Sequence, residues 1–95
     1  MSSKEASVEL PVEHDHGLHL RPAADFVRLA ARYRSRVSVT NLTRGSGRQA
    51  NARSLLEVTG LGVDTGHSVR ISATGDDAQE AVEAMADLIR SNFGA

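Results

Sequence analysis

Gly17-Leu18-His19-Leu20-Arg21-Pro22-Ala23-Ala24 sets an imidazole and a guanidinium two positions apart at the mouth of a segment with helical spacing. Proline is favoured at the first position of a helix, so the spacing predicts a helix that opens at Pro22. A helix start exposes unpaired N–H groups and a partial positive charge, worth roughly 0.3–2 kcal/mol to a well-placed anion. A phosphoryl group carried on His19 would meet those donors, and Arg21 adds a cation whose planar fork can hold two phosphoryl oxygens and cannot lose its charge. Gly17, Pro22 and Ala23 are assigned to phosphate binding. Gly17 gives the chain freedom to present His19 at the surface, with Leu18 turned inward as an anchor.

The same positive end disfavours imidazolium, which leaves a neutral ring with one nitrogen free to attack phosphorus. Such a transfer needs no general base, and no Ser-His-Asp constellation is visible. A competing reading treats His14, His16 and His19, with Asp15, as ligands of a metal-binding module. Nothing later in the chain supplies a second half for such a site, and His67 stands isolated, so no metal and no cofactor are expected.

The elements that must position these residues follow from periodicity. Met1 to Ser7 read as a polar, frayed terminus. Val8, Leu10 and Val12 alternate with Glu9, Pro11 and Glu13, an edge strand because Pro11 cannot donate to a ladder. Phe26, Leu29, Ala30 and Tyr33 mark a helix from Pro22 to near Arg34. Val37 and Val39 begin a hairpin that turns through Thr43–Arg48 and returns at Gln49–Asn51. Ser54–Val58 is a short helix closed by Gly60 and Gly62, and Val69, Ile71 and Ala73 form a fourth strand. Asp76, with Gln79 three residues on, is the expected cap of a last helix whose Ala78, Ala81, Val82, Met85, Leu88 and Ile89 share a face. The order β-α-β-β-α-β-α predicts an α+β fold, a four-stranded antiparallel sheet with three helices on one face.

Composition narrows the classes that remain. In 95 residues there is room for one domain, taken as 1–95 with an ordered part at about 7–93. Phe26, Phe93 and Tyr33 are the only aromatics, so the core must be aliphatic. A net charge of −1 with dispersed basic residues excludes a bulk-electrostatic role on nucleic acid or membrane. Absence of cysteine, of a signal peptide and of any long apolar run makes a cytoplasmic location the expectation.

Gly17-Leu18-His19-x-Arg21-Pro22-Ala23, continued by Ser54-Leu55-Leu56 and Leu61-Gly62, resembles the active-site signature of HPr, the histidine phosphocarrier of the phosphoenolpyruvate-dependent sugar phosphotransferase system. The resemblance covers about residues 7–93 and implies an open-faced β-sandwich. It also implies that Enzyme I phosphorylates Nδ1 of His19 with help from Arg21, that an enzyme IIA or regulatory protein receives the group, and that the carrier is not itself an enzyme. A monomer is expected.

Leu55 and Leu56, with Leu20, are implied as the docking surface. A two-turn helix buries only one stripe, so at least one of its leucines should face outward. Ser54 falls where some members carry a regulatory serine, phosphorylated by a kinase; it is also a good N-cap, which explains it without one. A regulatory role through Ser54, with a kinase or a transcriptional regulator as partner, is the second alternative. Leu20, His16, Glu57 and the long loop Asn41–Arg48 depart from the common pattern and imply a specialised partner set.

Overall fold

Strand β1 (Glu5–Pro11) turns Ala6, Val8 and Leu10 inward and leaves Glu5, Ser7, Glu9 and Pro11 exposed, the period-2 pattern of a half-buried strand. The computed structural model describes residues 4–93. After β1 come α1 (Leu20–Ala30), β2 (Arg36–Asn41), β3 (Gln49–Asn51), α2 (Leu55–Gly60), β4 (Ser68–Thr74) and α3 (Ala78–Arg90). The four strands make one sheet in the order β1-β4-β2-β3, every pair antiparallel. Pro11 closes the β1 ladder opposite Ser68 on an edge strand, where a missing N–H is tolerated. This is the α+β order expected.

Helix α3 lies against β1, β4 and β2, α2 lies against β3, and α1 packs on both helices. The face that α3 buries is Ala78, Ala81, Val82, Met85, Ala86 and Ile89. Phe26 is the one fully buried aromatic, and it shares one core cluster with Leu18, Ile71, Met85 and Ile89, so the core is the largely aliphatic one that composition required. No helix among the described residues is long and apolar enough to cross a membrane.

Four local expectations are corrected. Residues 5–7 belong to β1, and the Lys4 carbonyl accepts the Gly75 N–H at 2.8 Å; of the terminus read as frayed, residues 1–3 lie outside those described. Helix α1 opens at Leu20, with His19 as N-cap and Pro22 in the third position, where an intrahelical N–H is still not needed. It also ends at Ala30, short of Arg34. Residue 77, not 76, is the N-cap of α3, and its side chain does not cap that helix.

The last two corrections share a cause. The Asp77 carboxylate accepts the N–H groups of Arg34 and Ser35 at 2.9 and 2.8 Å, together with the Ser35 hydroxyl. Three donors in the α1–β2 turn are worth more to that carboxylate than one amide of its own helix, and they draw the chain out of the helix before Arg34. They also hold the Asp77 carboxyl below its ordinary value, the Ser35 hydroxyl bond contributing most.

Candidate functional site

His19 sits at the seam where the loop after β1 becomes α1. Its backbone is extended (φ −73°, ψ −176°), and its carbonyl accepts the first intrahelical bond, from Ala23 N–H at 2.9 Å. The amides of Leu20 and Arg21 precede that bond, and Pro22 has no N–H, so these two donors face the end of the helix beside the ring. The ring itself is 61% exposed. It lines a cleft of about 560 Å³ together with Arg21, His14, His16 and Phe93. Among the described residues Arg21 makes no hydrogen bond or ion pair, so its guanidinium is free to meet a ligand.

The residues assigned to phosphate from sequence occupy different stations. The Gly17 N–H is spent on the His14 carbonyl at 2.9 Å, and Gly17 is buried. Its φ of +53° and the nearness of the Val63 carbonyl admit glycine alone. Ala23 spends its N–H inside the helix, and Pro22 offers only its ring to the cleft wall. The open backbone donors are those of Leu20 and Arg21, the two residues that follow the histidine.

One ring partner was not foreseen. His19 Nε2 lies 2.9 Å from Asp64 Oδ1, across 45 positions of sequence. That contact is the largest reason the Asp64 carboxyl is held below its ordinary value. An ionised carboxylate only accepts, so Nε2 carries the donated hydrogen and the lone pair of the neutral ring is on Nδ1. His67, isolated in sequence, stands behind this pair: its Nδ1 accepts the Asp64 N–H at 3.1 Å and lies 3.2 Å from Asn41 Nδ2. No local pattern signals the His19–Asp64 contact, which forms where the loop before β4 folds back onto the loop after β1; His67 supports Asp64 from three residues along the same loop and meets Asn41 at the end of β2.

His14 and His16 do not gather with His19 around a common point. The His14 ring meets Phe93 edge-on at 5.3 Å, its Nδ1 accepts the His16 N–H at 3.2 Å, and His19 turns to Asp64. Among the described residues no group of three or more His, Cys, Asp or Glu side chains is placed to hold a metal ion, so the metal-module reading has no support.

Leu20 and Leu56 are 66% and 84% exposed, and Leu55 is exposed as well, leaving Val58 as the buried residue of α2. Both leucines of the short helix therefore face outward, on an element that packs against α1. Ser54 is the N-cap of α2 and accepts the Glu57 N–H at 3.2 Å, while the Glu57 carboxylate turns back to the Asn51 N–H at 3.1 Å. The cap accounts for Ser54 as it stands.

Residues 6–91 match the sequence family described as the PTS HPr component phosphorylation site. The phosphocarrier protein HPr of Haemophilus influenzae is 39% identical over 83 residues, which is 87% of this chain and 93% of that protein. The multiphosphoryl transfer protein of Salmonella typhimurium is 43% identical over 88 residues; the chain spans 93% of its own length there but only 23% of the relative's. Among solved structures, HPr from Thermoanaerobacter tengcongensis superposes with a TM-score of 0.87 at 39% identity, over 95% of this chain and 97% of the other.

Proposed function

The chain belongs to the HPr family of the phosphotransferase system, and from that membership we propose that it is a single phosphocarrier domain which takes a phosphoryl group onto His19 Nδ1 and passes it on. An exposed imidazole at the N-cap of α1, followed by two amides and a guanidinium that have no partner among the described residues, is the observation that carries this reading. The Nδ1 lone pair attacks phosphorus in line with the donor's own P–N bond. That bond breaks, and its electron pair stays on the donor nitrogen. The amides of Leu20 and Arg21 and the Arg21 side chain take the oxygens, so positioning and charge supply the catalysis.

The donor is phosphorylated Enzyme I, and the acceptor is an enzyme IIA-type or regulatory protein. The exposed Leu20, Leu55 and Leu56 supply the docking surface, since transient recognition needs a few apolar anchors on an otherwise polar rim. The carrier acts in the cytoplasm as a monomer and turns over no small molecule by itself. Ser54 serves first as a helix cap, and a phosphoryl group added to it by a kinase would sit at the N-terminus of α2.

Incubation with Enzyme I and labelled phosphoenolpyruvate tests the assignment. The wild-type chain is expected to take an acid-labile label and His19→Ala to take none; full labelling of His19→Ala would overturn it.

A further inference from the structure

The loop between α2 and β4 is tied to the active-site loop by bonds from both sides. Leu18 N–H donates to the Val63 carbonyl at 2.9 Å, Gly66 N–H to the Val12 carbonyl at 2.8 Å, and Val12 N–H to the His67 carbonyl at 2.8 Å. The Thr65 hydroxyl lies 2.8 Å from the carbonyls of both His14 and Asp15. From below, His67 Nδ1 accepts the Asp64 N–H, and the side-chain amide of buried Asn41 reaches His67 Nδ1 at 3.2 Å and the Leu61 carbonyl at 3.3 Å. The backbone that carries Asp64 is thus fixed against the backbone that carries His19. Their contact at 2.9 Å is a product of that frame, not a chance meeting of two surface chains.

Both side chains are more than half exposed, at 61% and 58%, so the pair adds little to the stability of the fold. What it constrains is the ring. An imidazole in water turns among several rotamers and exchanges its proton between two nitrogens; a carboxylate fixed at Nε2 selects one orientation and one tautomer. We propose that Asp64 is a positioning residue for His19: it holds Nε2–H, aims the Nδ1 lone pair into the open cleft, and remains as counter-charge when Nδ1 becomes bonded to phosphorus. This rests on the phosphocarrier reading. The charge balance is simple: the neutral ring keeps its Nε2 hydrogen, the new N–P bond leaves the ring positive, and no proton has to depart. A ring that stays positive is also the better leaving group for onward transfer.

The test uses Asp64→Ala and Asp64→Asn in the full chain, with 15N spectra of the imidazole nitrogens, transfer kinetics and hydrolysis of the phosphorylated form across pH. Wild type should show the Nε2-protonated tautomer. Asp64→Ala should move toward a mixture of tautomers and accept phosphate roughly three- to tenfold more slowly, since the ring must then be ordered at the moment of transfer. Asp64→Asn retains an oxygen acceptor and should keep the tautomer, but it loses the charge. The pH at which phosphorylated His19 stops hydrolysing rapidly should therefore fall in both variants. The other groups facing the ring, His14 and His16 of its own loop, Arg21 and Asp25 of α1, and Arg44 and His67 behind Asp64, are unchanged among these proteins.

Unchanged melting with altered ring spectra supports the proposal. Ring spectra and hydrolysis profiles identical to wild type in both variants would overturn it. A wild-type chain that takes no label overturns the carrier reading instead, while the spectra of the unphosphorylated ring still decide what Asp64 does.

Discussion

The carbonyl oxygen of Val63 stands where a side chain on Gly17 would begin: a Cβ built there would lie 2.2 Å away. The same carbonyl accepts the Leu18 N–H at 2.9 Å, so the loop before β4 and the loop before α1 meet backbone to backbone, two residues ahead of the histidine. Gly17→Ala would strain a left-handed backbone and drive these strands of chain apart. The expected cost is about 1–3 kcal/mol for the conformation and about as much again for the clash. Thermal or urea denaturation reads it, and phosphorylation should slow in parallel because the Asp64 side of the ring moves away.

Arg21 behaves oppositely. It is exposed and unpartnered among the described residues, so Arg21→Ala should leave melting within about 0.5 kcal/mol of wild type. Phosphoryl acceptance should fall about 100-fold, the usual scale for removing one preorganised donor from developing charge. Arg21→Lys should recover only part of the rate, because an ammonium cannot make the planar two-oxygen contact. Stopped-flow transfer from phosphorylated Enzyme I separates the three proteins.

Leu56, 84% exposed on a two-turn helix, has no packing reason to be apolar. Leu56→Glu should raise the KM for Enzyme I about tenfold or more, with little change in kcat and none in melting, as expected of an interface anchor. An unchanged KM would remove α2 from the docking surface.

The Asp77 carboxyl is held below its ordinary value of 3.8 by the Ser35 hydroxyl and the two backbone amides. A group whose folded value is depressed adds stability that is present above its unfolded value and is lost as pH falls through the folded one. Wild type should therefore weaken on acidification below about pH 4. Asp77→Asn should be weaker at neutral pH, with a shallower acid slope, so that the two melting curves converge in strong acid.

The position of His19 and Arg21 at a helix start was legible because helix-start chemistry is local: a histidine, an arginine and a proline within four positions carry their geometry with them. The strands were legible for the same reason, since alternation in Val8–Leu10 or Val69–Ala73 needs no partner to be read. Boundaries were less so. Pro22 is compatible with any position in a first turn, so it could not tell residue 20 from residue 22 as the start. Asp76 was read as the cap from its spacing to Gln79, and nothing local shows that the cap falls at residue 77, whose carboxylate is engaged by Ser35, 42 positions away. Asp64 was invisible on principle, because its partner His19 is set by how two loops close on each other and not by any spacing along the chain, and His67 takes its meaning only from the Asp64 that it supports.

Strand order has one more consequence. β4, the last strand made, lies between β1 and β2, so both of its ladders wait for residues up to Thr74 to leave the ribosome. Until then β1 has no neighbouring strand, and α1 has α2 to pack on but not yet α3. Pairings such as Glu5 with Thr74 close loops of about three quarters of the chain, which places folding toward the slower, late-condensing end for a domain of this size. A nascent chain halted before Ser68 could pair β2 with β3 but would leave β1, and the loop that carries His19 after it, without a neighbouring strand.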